Sequence, residues 1–182
     1  AYESALDYLL KGHEMLDSDA WQNEYELIWK LSEEIQHCLY LTGDRAGADN
    51  WTEVMLTHAQ TPIEKGLVLS ARTRQYATIG KMRESIQAAY EGLTILGFEF
   101  VQEPDTKNVV AEVKLISENL RGRVISDLIN MPKLTDPKAK IASQLLMEIF
   151  PAAFLSGSGE MFPYMVLKSV NIALCYGNSP ET

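Results

Sequence analysis

Leu39-Tyr40-Leu41-Thr42-Gly43 and Tyr76-Ala77-Thr78-Ile79-Gly80 are two versions of one punctuation, and their reading decides the fold. Five residues after each glycine comes a small residue, Ala48 after the first and Ser85 after the second. The two glycines lie 37 positions apart. Ala5-Leu6-Asp7-Tyr8-Leu9-Leu10 reads as an earlier, shortened copy. An aromatic or large aliphatic residue before the glycine packs one helix against the next. Glycine ends that helix because it enters the left-handed region at little steric cost. The small residue one turn into the following helix then lets the two backbones come close.

The spacing approaches the ~34-residue period of tetratricopeptide helix–turn–helix units. It predicts an all-α chain of antiparallel helix pairs, stacked as a tetratricopeptide-like right-handed solenoid. Each pair leaves an apolar face that only a neighbouring pair can bury, and such arrays offer a concave surface to partners. Residues 1–97 are expected to hold the clear repeats, and 98–182 divergent repeats that continue the array.

Composition agrees with a folded domain. The chain has 182 residues, a hydrophobic share of 46% and a charged share of 23%, enough to build a core. Its net charge is −9, and its densest basic stretch is Arg121-Gly122-Arg123. A chain without a Lys/Arg stripe has little to neutralise phosphates with, so nucleic acid is not an expected partner. No run of eighteen apolar residues suggests a membrane span. Glu3 and Asp7 interrupt any apolar signal segment. Cys38 and Cys175, far apart in helical patterns, read as reduced core thiols of a cytoplasmic protein.

Apolar periodicity places eight helices. The first covers 3–16, with a break near Gly12. The second runs over 20–42, with Trp21, Tyr25, Ile28, Ser32, Ile35 and Leu39 on one face. A third spans 45–60, and Pro62 starts a fourth that reaches Ile79. The stripe of that fourth helix is Leu67, Ala71 and Tyr76, with Arg72 and Arg74 intruding. The fifth, 82–96, is cleanly striped and capped by Gly97. After a linker at 98–104, a helix runs from Val109 to Leu128 with a bend past Gly122. Asp136 caps a helix over 137–155, which Pro151 should kink. Ser156-Gly157-Ser158-Gly159 is a flexible break, and the last helix carries Phe162, Met165, Val166, Ser169, Val170, Ala173 and Leu174. Tyr176-Gly177-Asn178-Ser179-Pro180 reads as a helix stop before a further helix, so the chain is expected to be a piece of something longer.

Three patterns invite chemistry. Glu34-Ile35-Gln36-His37 has the Glu-x-x-His spacing of di-metal bundles, which require a second such pair and further carboxylates; a solvated face is the simpler reading. Gly92-Leu93-Thr94-Ile95-Leu96-Gly97 has the glycine spacing of a phosphate loop, but Phe98 and Glu99 replace the lysine and hydroxyl that contact phosphate. His58-Ala59-Gln60-Thr61-Pro62 is similar to the phosphoacceptor box of histidine kinases, one residue too short and with Ala59 where an acid belongs. None of His13, His37 and His58 has a nucleophile setting around it.

The order of segments resembles the helical region of large bacterial signalling ATPases. In that family a Ser/Thr kinase-like domain, an AAA-type ATPase and a helical array are followed by a GAF domain and a sensor histidine kinase. The likeness runs through Ala5-Leu6-Asp7-Tyr8-Leu9, Tyr40-Leu41-Thr42-Gly43 and Thr61-Pro62-Ile63-Glu64-Lys65. It is most specific over Gly122-Arg123-Val124-Ile125-Ser126-Asp127-Leu128, Met131-Pro132, Thr135-Asp136-Pro137 and the closing Tyr176-Gly177-Asn178-Ser179-Pro180. It implies a parent protein that binds ATP and signals by phosphorylation, with neither activity in these residues.

The expected function is therefore a non-catalytic helical-repeat module for protein–protein interaction and signal coupling within such a kinase/ATPase. No catalytic, metal or cofactor residue is expected. Partners are another protein or neighbouring domains, with a small-molecule effector conceivable. Trp29, Tyr40, Arg72 and Arg74 fall off the best core stripes and are the candidate partner-binding residues. Two rivals stand beside this reading. One is an all-α small-molecule sensor with a pocket near Trp21 and Trp51, and the other is a metal-dependent helical enzyme using Glu34 and His37.

Overall fold

The computed structural model describes residues 1–155, 157 and 159–179. Ser156 and Ser158 of the expected flexible break, and Pro180 of the closing motif, lie outside the described residues. Every regular element among the described residues is helical, ten α-helices and one 3₁₀ helix. The number exceeds the eight expected because two long helices are each split. No helix among the described residues is long and apolar enough to cross a membrane. The chain divides into two compact units, residues 1–61 and 62–182.

The first unit holds α1 (Tyr2–Glu14), α2 (Ala20–Asn23), α3 (Tyr25–Thr42) and α4 (Arg45–His58). α1 runs straight through Gly12, where no break occurs. An interior glycine weakens a helix by about 1 kcal/mol without ending it. The helix expected over 20–42 is instead interrupted at Glu24, whose φ of −130° and ψ of 39° are not helical. Just before it, Asn23 turns its amide onto the Asp19 carboxylate at 2.6 Å, a local bond that competes with helix propagation. Ile28, Ser32, Ile35 and Leu39 of the predicted stripe are buried. Ile35 and Leu39 centre a core with Ala48, and Leu6, Leu10 and Trp51 pack on it; each such large side chain contributes about 1.5–3 kcal/mol of burial. Across α3 and α4 the Gln36 amide donates to the Thr52 hydroxyl at 3.2 Å, and the Tyr25 hydroxyl reaches the His58 carbonyl. Contacts descend one helix as they climb the other, so the pair is antiparallel.

The second unit contains α5 (Pro62–Thr78), α6 (Met82–Leu96), α7 (Thr106–Leu120), a 3₁₀ helix (Ile125–Asn130), α8 (Pro137–Glu148), α9 (Phe150–Leu155) and α10 (Met161–Tyr176). α5 and α6 form an antiparallel pair. Gly66 faces Leu96, Gly92 faces Leu69, and the Ser85 hydroxyl donates to the Thr73 carbonyl at 3.0 Å. Ser85 is thus the small residue that lets the backbones approach, as its place after Gly80 predicts. The buried face of α5 differs from the expected stripe, however. Gly66, Leu69, Ser70 and Thr73 point inward while Leu67 is 42% exposed. Small and hydroxyl residues do not register in an apolar stripe, yet they suit a close helix–helix approach.

Beyond Gly97 the pattern of paired hairpins changes. The segment 98–104 has no regular structure, but Phe100 is buried and the Val101 amide donates to the Tyr164 hydroxyl at 3.1 Å. α7 ends at Leu120, not at Leu128. Arg121 takes a left-handed conformation (φ 50°), and the Arg123 guanidinium donates to the carbonyls of Asn119, Leu120 and Leu174. These bonds satisfy carbonyls that the helix end leaves open. α7 and α10 run parallel: Thr106 meets Glu160, Glu112 meets Lys168, and Arg123 meets Leu174 in rising order. Asp136 caps α8 as expected, accepting from the Ala139 amide at 2.8 Å. The helix expected over 137–155 divides at Ile149, which puts Pro151 in the first turn of α9, where its missing donor costs nothing. The core of this unit gathers Leu93, Leu96, Leu145, Leu146, Ile149 and Tyr164.

Candidate functional site

Gly177 follows α10 with φ 109° and ψ 173°, a region open to glycine and closed to other residues. A Cβ there would collide with the Pro132 carbonyl oxygen and press on the Leu134 amide. Glycine therefore lets the chain after α10 turn back onto residues 132–134. The Asn178 amide donates to the Pro132 carbonyl at 2.9 Å and the Leu134 amide to the Asn178 carbonyl at 2.8 Å. This parallel bridge, Lys133 with Asn178, is a tertiary contact where the sequence suggested only a helix stop. It joins the segment between α7 and α8 to the residues just after α10.

Beside the bridge opens an apolar cavity of about 340 Å³. One face of α10 supplies Met165, Val166, Ser169, Val170 and Ala173; Leu128 and Met131 come from the 3₁₀ helix and the loop after it, Met147 from α8 and Phe150 from α9. Met147, Phe150 and Val166 are exposed at the mouth. Phe150 and Phe154 both stand edge-on to Phe162, with centroids 5.1 and 5.7 Å away, and stiffen this wall. Three methionines give a surface that repacks readily around differently shaped apolar groups. Among the described residues no charged side chain lines the cavity.

A second recess of about 730 Å³ adjoins it, sharing Met131 and Asn178. Its lining adds Lys133, Lys140 and Gln144, and includes no Asp or Glu among the described residues.

Polar groups elsewhere in the unit serve packing. Glu112 is 5% exposed; it accepts from Lys168 Nζ at 2.7 Å and from the Asn171 amide at 2.8 Å. Asn119 donates to Asn171 at 2.9 Å, completing a buried network that pins α7 to α10. Glu148 accepts from the Ser70 hydroxyl at 2.8 Å, from Gln144 at 3.0 Å and from Arg74 at 3.4 Å. Burial pushes its carboxyl above the usual range, and these three partners pull the other way. The Tyr164 phenol is also raised, chiefly by burial.

The sequence-derived candidates are placed as follows. Trp29 is buried on α3, donating to Glu33 at 3.0 Å and stacked on Tyr25. Tyr40, on the same helix, is half-buried and packs on the core of the first unit. Arg72 lies over the Tyr76 ring at 6.0 Å and lines a shallow recess with Arg83, Glu84 and Glu91. Arg74 reaches Glu148. Trp29 and Tyr40 thus belong to the first unit, Arg72 and Arg74 to the second.

Glu34 and His37 are exposed, and no group of three or more His, Cys, Asp or Glu that could hold a metal occurs among the described residues. Trp21 stacks on His58 at 4.2 Å and Trp51 meets His13 edge-on at 4.9 Å, so two of the three histidines pack against tryptophan. Gly92 sits inside α6 and forms no phosphate loop. Cys38 is buried, and burial raises its thiol pKa. Cys175 is exposed, which corrects its expected place in the core: it lies on the outer side of α10, between the buried Leu174 and the helix end.

Sequence reasoning missed the cavity. Its one legible trace was the apolar run Val166, Ser169, Val170 and Ala173, read as a core stripe. Comparison with protein-family models, curated proteins and solved structures finds no match for this chain, so its function is argued from the cavity and its surroundings.

Proposed function

We propose that this chain is a non-catalytic, tetratricopeptide-like helical-repeat module that recognises a partner and couples that event to neighbouring domains. The parent would be a cytoplasmic, bacterial signalling ATPase/histidine kinase, as the resemblance implies, and the helix pairs would stack as a right-handed solenoid. The observation that supports recognition is the open apolar cavity beside α10. Methionine and phenylalanine side chains left uncovered next to a well-packed core mark a binding surface. Such a groove accepts the apolar face of a partner helix, whose backbone groups are already satisfied internally. A photo-crosslinking phenylalanine analogue at position 150, in the full-length protein in cells, tests this. A crosslink to one defined protein segment is expected. Crosslinking no stronger than from an analogue at exposed Ile95 would overturn the reading.

A second reading, a small-molecule sensor, is favoured by one observation. The cavity volume falls in the range of ligand pockets, about 300–1,000 Å³. In that case the occupied cavity would be the signal that neighbouring domains read.

A further inference from the structure

The apolar cavity and the lysine-lined recess beside it share Met131 and Asn178 in their linings, and their chemistries suit the two ends of one ligand. We infer that together they bind a small amphipathic anion: an aliphatic tail against Met165, Val170 and Phe150, and a carboxylate or phosphate head at Lys133 and Lys140. This rests on the sensor reading above.

The apolar half excludes a polar occupant. Among the described residues its lining offers Ser169 and Asn178 as hydrogen-bonding side chains, and the Asn178 amide donates to the Leu128 carbonyl at 2.7 Å. A charged head placed there would lose its hydration without replacement. The other half supplies what the head needs. Lys133 and Lys140 line it, and no Asp or Glu does among the described residues, in a chain whose net charge is −9. Lysine binds carboxylate and phosphate as a compact point charge. Gln144, one turn from Lys140 on α8, also lines that recess and donates to Glu148 at 3.0 Å. At roughly 30 Å³ per water-sized group, the apolar volume of about 340 Å³ has room for a tail on the order of ten carbons.

Calorimetric titration of the purified chain at neutral pH, with monomeric decanoate and with decanol, tests the inference. Decanoate is expected to bind at least tenfold tighter than decanol, and octanoate roughly fifteenfold weaker than decanoate, since each buried methylene is worth about fourfold. The double variant Lys133→Gln/Lys140→Gln, both at exposed positions, should lose tenfold or more for decanoate and keep its decanol affinity. Val166→Asp should abolish both, with an unchanged circular dichroism spectrum as the control for folding. If decanol and decanoate bind alike and the lysine variant changes nothing, the anion inference falls while the sensor reading stands. If neither probe binds, both fall. Binding to phosphatidylglycerol vesicles but not to free decanoate would assign the lysines to a membrane surface and overturn the site.

Discussion

The Asn178 side-chain amide donates to the Leu128 carbonyl at 2.7 Å, across fifty residues of chain. With the 132–134 bridge it ties the irregular 122–137 segment to the end of α10. Together with the Arg123 bond to the Leu174 carbonyl of α10, that tie holds the wall of the cavity formed by Leu128 and Met131. Part of the candidate site's support is therefore backbone geometry just past a helix terminus.

Gly177→Ala should expose this dependence. The backbone there lies in a region that costs a non-glycine residue about 1–3 kcal/mol, and the added methyl meets the Pro132 carbonyl. Urea denaturation should show a stability loss of at least that size. A wild-type midpoint would mean that the 177–178 segment does not rest on 132–134.

Gly80→Val isolates conformation from crowding. Gly80 has φ 78° and nothing within 4 Å of a Cβ built on it; the Lys81 amide closes the helix end on the Tyr76 carbonyl at 2.9 Å. The expected cost is about 1–2 kcal/mol, from left-handed backbone strain alone. Gly80→Asn should recover most of it. Equal stability of the valine and asparagine variants would contradict a left-handed terminus here.

Breaking the buried pair is expected to be the most damaging single change. Glu112→Gln leaves the Lys168 ammonium, 15% exposed on its side chain, without its counter-charge. Such losses run to about 3–5 kcal/mol. Adding Lys168→Met should restore much of the stability, because the uncompensated charge is then gone. A double variant as unstable as the single would show that the carboxylate stabilises by some route other than the ion pair.

Glu148→Gln makes a pH-dependent prediction. Burial holds the folded-state carboxyl above its ordinary value of about 4.5. The folded protein therefore binds the proton more tightly than the unfolded chain does. Its stability contribution is fully present below the unfolded pKa and is lost as pH rises through the folded one. Relative to wild type, the glutamine variant should gain melting temperature as pH rises above about 4.5, the ordinary carboxyl value. A difference that stays flat, or turns the other way, would place the ion pair with Arg74 above desolvation in importance.

How much was legible in the sequence varied with the kind of signal. Gly43, Gly80 and Gly97 all take positive φ at helix ends, and Asp136 and Pro137 start α8 as read. Those features are local: a cap or a left-handed turn depends on a few neighbouring residues. The stripe of α5 was misread because Gly66, Ser70 and Thr73 are buried by close backbone approach, which hydrophobicity does not register. The split of α8 from α9, and the end of α7 at Leu120, were placed wrongly because apolar periodicity continues through both points. Trp29 seemed to stand off the core stripe of α3, yet it is buried.

What the sequence by itself determined is the helical class, the paired hairpins α3–α4 and α5–α6, and the punctuation between them. Each follows from interactions within one helix or across one turn. Only the tertiary structure decided that α7 and α10 run parallel, that residues 132–134 meet 177–178, and that a methionine-lined cavity opens beside two lysines. Those arrangements bring together residues some fifty positions apart in the chain. Periodicity reports which face of a helix is apolar, and the partner of that face is chosen by packing across the whole unit.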